Sequence, residues 1–267
     1  MDLDKVFILN VFKDSNIAPK YMNVLVSKRA LEMYQTAFTS KEYNPENNYE
    51  LYEFVGDSVI GEALVWYFYS VFPQLHCAAG IKTINRLKIV HASSESFSEI
   101  ARSLDFLPRI KATEEELADE DKTQHLLEDV LEAFVGVTKI VLTEAFGFPG
   151  VGNQIVYNFV FSIFDKKEIS FAPEDLYDAK TRLKELFDNK TENNPIFVKF
   201  KSPVYEEFVD TNNTVLTRLW FKGNKMLMFY GEGRTKQARE KNAAQKAITY
   251  LKANGYKTEK QFVPFCA

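Results

Sequence analysis

Cysteine is scarce in this 267-residue chain: Cys77 and Cys266 are its only two, and they lie far apart. Two thiols cannot build a disulfide framework, so a small stapled extracellular fold is excluded. A reducing, intracellular compartment becomes the default expectation, the cytoplasm ahead of the nucleus. Glycine and proline are also sparse, at 11 and 9 residues, which excludes collagen-like and low-complexity chains. With 46% hydrophobic residues the chain reads as globular. The start, Met1-Asp-Leu-Asp-Lys5, lacks the basic region of a secretory signal, and the apolar patch Val6–Phe12 is short and ends at Lys13. The longest uncharged run, Ala63 to Ile81, is broken by Pro73, Gln74 and His76 and does not read as a membrane span. The length leaves room for two modest domains.

A surplus of one charge is missing overall but present locally. The whole chain carries −4, which argues against a polyanionic partner. Divided after Ala172, the first part has 16 Lys and Arg against 25 Asp and Glu, and the remainder 17 against 12. Thr214 to Lys257 alone holds ten basic and two acidic residues. This asymmetry fits a separate polyanion-binding module, with a merely soluble surface as the plain alternative.

Acidic residues are the informative part of the first portion. In Glu50-Leu-Tyr-Glu-Phe-Val-Gly-Asp-Ser58, spacings of three and four put Glu50, Glu53 and Asp57 on one side of a helix. Phe54, Val55, Val59, Ile60, Ala63 and Leu64 surround them, so these acids are expected to border a core. A second stretch, His125-Leu-Leu-Glu-Asp-Val-Leu-Glu-Ala-Phe-Val-Gly136, also reads as a helix. It carries Asp129 and Glu132, with Leu126, Val130, Ala133 and Phe134 as its apolar side. Either pair alone is most often a solvated helix face. Packed together, Glu53, Asp57, Asp129 and Glu132 would need a positive partner, since desolvated like charges repel. Oxygen-only ligands suit Mg²⁺, with Mn²⁺ able to substitute. Two such ions could activate water and stabilise a leaving phosphodiester oxygen.

The phrase E-L-Y-E-F-V-G-D-S resembles the signature of the ribonuclease III family, E-R-L-E-F-L-G-D-S/A. L-L-E-D-V-L-E-A-F-V-G resembles that family's second motif, D-x-x-E-A followed by apolar residues and Gly. The resemblance implies an all-α nuclease domain over residues 1–168, with residues 1–24 either an extension or part of the first helix. It also implies a homodimer that cuts both strands of duplex RNA, leaving 5′-phosphates and short 3′ overhangs. Glu53, Asp57, Asp129 and Glu132 would be metal ligands and catalytic residues, with Glu50 and His125 accessory. The apolar signature helix would serve as dimer surface or as core within one chain.

Departures from the family pattern stand beside these matches. Ala37-Phe-Thr-Ser40 resembles the A-L-T-H phrase, with Ser40 where histidine is usual. The connector Gln74–Gly80 lacks the acid found in many relatives. Position 125 holds histidine where lysine is frequent, a titratable replacement or a plain surface residue. Thr113–Lys122 reads as a solvated acidic loop or helix end. Ser27–Phe38 reads as a helix, and the apolar stretch after Gly136 as helix, turn at Gly147–Gly152, and helix from about Asn153 to Phe164.

Beyond the expected linker Asp165–Pro173 the pattern changes. Ala179–Phe187 reads as a short helix and Asp188–Pro195 as a polar loop. β-like runs follow at about Val204–Val209, Val215–Phe221 and Lys225–Tyr230, then a helix from Thr235 to about Ala253. This α-β-β-β-α order resembles a small α+β double-stranded-RNA-binding domain, placed at residues 174–258. The helix start offers N–H groups and positive charge to phosphates. Arg182, Lys184, Arg234, Thr235, Lys236, Gln237, Arg239 and Lys241 are the candidate RNA contacts, carrying little sequence information. Asp210–Thr214 lacks the family's G-P-x-H, and Gln237, Ala238 and Glu240 interrupt the usual lysine run. The rival readings are a dimeric protein that sequesters duplex RNA with little cleavage, and an interaction scaffold with no RNA activity.

Overall fold

The structure, a computed structural model, describes residues 3–188, 200–256 and 258. It divides into two compact units, one running through Ile169 and the other from Ser170 onward.

The first unit is helical. Its helices are α1 Lys5–Val11, α2 Pro19–Leu25, α3 Lys28–Ala37, α4 Glu50–Val71, α5 Ala78–His91, α6 Ser94–Ser103, α7 Glu114–Ala118, α8 Glu120–Phe146 and α9 Pro149–Phe164. Among its described residues, strand-like pairing is confined to one bridge between Thr39 and Lys111. Local chemistry sets the boundaries. The Ser27 hydroxyl accepts from the Ala30 N–H to start α3, and the Asp119 carboxylate accepts from the Asp121 and Lys122 N–H groups to start α8. Gly147, at φ 67°, ends α8 in the left-handed region, and Pro149 opens α9. This second start is earlier than the expected Asn153, because proline is well suited to a first helical turn.

Phe134 of α8 is the hub of the core, at 0% exposure. Its ring lies 5.3 Å from Phe12, 4.9 Å from Tyr34, 5.3 Å from Phe106 and 5.7 Å from Phe159, centroid to centroid. Removing such a buried ring costs roughly 3–5 kcal/mol. Phe12, together with Phe7 against Phe38 and Phe106, makes the N-terminal segment part of this core, as two short helices of its own ahead of α3. Cys77, at the start of α5, is disulfide-bonded; Cys266 lies outside the described residues.

The second unit has α10 Pro173–Leu176, α11 Ala179–Asp188, strands β1 Pro203–Val209, β2 Val215–Phe221 and β3 Asn224–Gly231, and α12 Lys236–Ala253. The antiparallel sheet has the order β1-β2-β3. Alternation puts Leu219, Phe221 and Phe229 on one face, packed against Leu183, Leu186 and Phe187 of α11 and Ala243, Ala244, Ala247, Ile248 and Leu251 of α12. Between β1 and β2, the Asp210 carboxylate accepts from the Asn212 and Thr214 N–H groups, and Asn213 takes φ 62°. The expected loop 188–195 lies almost wholly outside the described residues.

Candidate active site

Two glycines bring the acidic helices together. A Cβ on Gly56 of α4 would sit 1.8 Å from the Glu132 carbonyl oxygen, and one on Gly136 of α8 would sit 2.0 Å from the Tyr52 carbonyl oxygen. The backbones meet at a distance only glycine allows. Glu53 and Asp57 stand to either side of Gly56 on α4, while Glu132 stands about one turn before Gly136 on α8 and Asp129 a turn earlier still.

Their electrostatics record the proximity. Burial and then the Asp129 charge push the Glu53 carboxyl up to about 7. Burial, followed by Asp57, Glu128, Glu53 and Asp129, pushes Glu132 up to about 8. Glu132 is 8% exposed. Asp129 is raised mainly by burial, against a hydrogen bond donated by the Tyr49 hydroxyl. These carboxyls hold protons that ordinary carboxyls release, as expected where like charges share a site. Asp57 is exposed and adds its charge from the rim.

Such a set fits a divalent cation: all donors are oxygen, the charge is only partly offset by Lys41, and the acids come from two rigid helices. Among the described residues, no group of three or more His, Cys, Asp or Glu side chains is placed to hold a metal ion as it stands. A bound Mg²⁺ would therefore draw on one or two of these carboxylates together with water and substrate phosphates.

Glu50 and His125 lie outward. Glu50 forms an ion pair with Lys41 at 3.2 Å, both side chains being more than half exposed. His125 Nδ1 is 3.2 Å from Glu128 Oε2 and 3.3 Å from the Ser94 hydroxyl. Phe54 departs from expectation: it is 80% exposed, because two residues from Gly56 it points away from the α8 crossing. Val55 is half-buried, while Val59, Ile60, Ala63 and Leu64 are buried as expected.

Three partners were not legible as site residues. Tyr49 is buried, bonds Asp129 through its hydroxyl, and starts α4 by accepting from the Glu53 N–H at 2.9 Å. Lys41 brings a cation to Glu50, Glu53 and Asp129. Glu116, inside the stretch expected to be solvated, is buried: it accepts from the Ser40 hydroxyl at 2.9 Å and closes a capping box with Thr113. The capping signature T-E-E-E was the available signal for Glu116. Tyr49 had only its position next to Glu50.

In the second unit, Arg234, Lys236, Gln237 and Lys241 are exposed around the Thr235-capped start of α12. On α11, Lys184 is exposed and Arg182 half-buried. Arg239 departs from expectation. It is 8% exposed, donates to the Gly233 and Arg234 carbonyls, and forms an ion pair with Glu207 of β1. Its position one turn into α12 aims it back at the sheet, so its charge organises the turn before the helix.

The family model described as "Ribonuclease III domain" matches residues 50–140, the span of both acidic motifs. A protein of Frog virus 3 (isolate Goorha) is 36% identical over 241 residues, covering 90% of this chain; the chain spans 61% of that relative's length. A protein of Invertebrate iridescent virus 6 is 31% identical over 254 residues, covering 88% of this chain and 82% of its own length. The protein named "Ribonuclease 3" of Lactobacillus acidophilus is 30% identical over 244 residues, covering 87% of this chain and 98% of its own. The chain belongs to the ribonuclease III family of endoribonucleases.

Proposed function

We propose that the chain is a divalent-metal-dependent endoribonuclease acting on duplex RNA, working as a homodimer and leaving 5′-phosphates with short 3′ overhangs. The observation that carries this reading is the meeting of Glu53, Asp57, Asp129 and Glu132 where α4 crosses α8, with burial and neighbouring acid charge raising three of them. A protein that only sequestered RNA would gain no affinity from acids facing an anionic ligand.

In this reading the four carboxylates hold Mg²⁺, with Mn²⁺ able to substitute. When bound, the ion supplies Lewis-acid stabilisation of phosphodiester oxygens and a nucleophile at neutral pH. The protein's own contribution is orientation. Tyr49 fixes Asp129, the glycine contact fixes the helix spacing, and the buried flank around Val130 and Ala133 keeps bulk water from one side.

The dimer surface is assigned to α4. Leu51, Phe54, Val65 and Tyr69 fall on one stripe, exposed by 69%, 80%, 39% and 44%, with Trp66 beside them at 50%. An apolar stripe of this kind on a soluble surface marks an interaction site. The second unit is read as a double-stranded-RNA-binding domain, supported by its α-β-β-β-α order and the basic, capped start of α12. Among the described residues, no helix is long and apolar enough to cross a membrane.

The test is incubation of the purified protein and an Asp129→Asn variant with a long RNA duplex and Mg²⁺. The reading requires cleavage by the first, with 5′-phosphate ends, and loss of cleavage in the second. Binding without cleavage by the unaltered protein would replace it with sequestration.

A further inference from the structure

The cation that resemblance places at position 125 acts on the α8 acids. His125 has a side chain 70% exposed, is tied to Glu128 and Ser94 on the side facing α6, and its charge bears on Asp129. A second cation reaches acids of both helices. Lys41 pulls against the elevation of both Glu53 and Asp129, while its ammonium rests on Glu50 at the start of α4, 3.2 Å away.

The backbone under Lys41 is unusually well held for a loop. Ser40, immediately before it, is fully buried. The Ser40 N–H donates to the Lys111 carbonyl at 2.8 Å, and its hydroxyl donates to Glu116 at 2.9 Å. The same hydroxyl oxygen accepts from the Tyr43 N–H at 3.0 Å. Lys41 is therefore a mobile ammonium on a fixed base. Its side chain stays 55% exposed, and an exposed pair with Glu50 contributes too little to lock it in place. An anionic oxygen arriving among the carboxylates offers the ammonium a partner at least as good as Glu50, within the reach of a four-carbon stem.

We infer that Lys41 is a substrate-contacting residue of this site, its ammonium turning from Glu50 to a phosphate oxygen of the RNA strand being cut. The inference rests on the nuclease reading. It assigns to the loop before α4 the cationic role that the family pattern leads one to seek on α8. The competing role is a counter-ion for Glu50 that merely secures the start of α4.

The two roles separate in Lys41→Met and Lys41→Arg proteins, studied as full chains. Three measurements are needed: single-turnover cleavage of an RNA duplex in saturating Mg²⁺, binding of Mn²⁺ alone by titration, and thermal melting. A phosphate contact predicts that Lys41→Met slows cleavage about 100-fold, as expected for loss of one electrostatic stabiliser. Lys41→Arg should stay within about fivefold of the unaltered protein on the same electrostatic ground. Mn²⁺ binding by Lys41→Met should be unchanged or tighter, since a positive charge has left the neighbourhood of the carboxylates. Cleavage by Lys41→Met within about threefold of the unaltered protein would overturn the inference. So would loss of Mn²⁺ binding or of a cooperative melt, which would show a structural role. If the unaltered protein itself fails to cleave while Mn²⁺ still binds, the nuclease reading fails, and the inference with it.

Discussion

Gly56 and Gly136 pack backbone against backbone: a Cβ on the first would lie 3.0 Å from the amide nitrogen of the second, and one on the second 3.1 Å from the amide nitrogen of the first. Added carbon there has no flexible side chain to displace, only main chain. Gly56→Ala should therefore destabilise the protein by about 3 kcal/mol through forced separation of α4 and α8. The same separation moves Glu53 and Asp57 away from Asp129 and Glu132. Thermal melting and Mn²⁺ titration check both consequences, and a variant with an unchanged melt and unchanged Mn²⁺ affinity would show that the close approach is not required.

Glu132 gives a pH dependence with a definite sign. An unfolded glutamate releases its proton near 4.5, whereas burial beside Asp57 holds the folded carboxyl at about 8. Between those values the folded state binds the extra proton. Without divalent metal, this group therefore favours folding at low pH, and that contribution is lost as pH rises through about 8. Glu132→Gln removes the charge and should raise Tm in chelator at pH 8 by roughly 5 °C, with little change at pH 4.5. The same variant should lose cleavage, a stability gain set against function. A lower Tm at pH 8 would mean that the carboxylate already has a compensating partner.

The acidic motifs were legible in the sequence because their spacing coincides with the helical repeat, and the two glycines lie inside the same phrases. Phe54 was not, since periodicity marks an apolar face without saying whether the core or a second molecule covers it. Tyr49 and Lys41 were hidden for another reason. Their contacts depend on the path of residues 40–49, which is set by Ser40 reaching Lys111 and Glu116 far along the chain. Arg239 shows the limit of reading charge alone: the residue is basic and at the helix start, but its guanidinium faces Glu207. The three strands and α12 were readable because alternation in β2 and the alanine-rich stripe of α12 have one apolar face each.

Phe54 now makes a prediction about assembly. A phenylalanine 80% exposed, on a helix whose opposite side is buried, has little to lose in a monomer when it becomes charged. Phe54→Glu should keep a cooperative melt and shift the sedimentation of the protein from dimer to monomer. If the dimer uses this stripe, the loss is more than 1.4 kcal/mol of association energy, or more than tenfold in the dissociation constant. An unaltered protein that sediments as a monomer, or a Phe54→Glu protein that stays dimeric, would remove α4 from the interface.

Arg239 and Lys241 stand two residues apart, and the structure assigns them opposite consequences. Arg239 is buried and joins Gly233, Arg234 and Glu207. Arg239→Met leaves Glu207 with a lost partner and the Gly233 turn unsupported, at a cost of about 2 kcal/mol or more to the second unit. Lys241 is exposed, so Lys241→Ala should melt normally and weaken duplex RNA binding nearly uniformly across sequences. If it contacts a phosphate, the slope of log affinity against log salt should fall by about one, with the loss largest at low salt. Salt titrations of duplex binding in Ca²⁺ separate the two effects, because a folding defect lowers affinity at every salt concentration while a lost phosphate contact changes the slope. A Lys241→Ala protein with the original slope would place the phosphate track away from this end of α12.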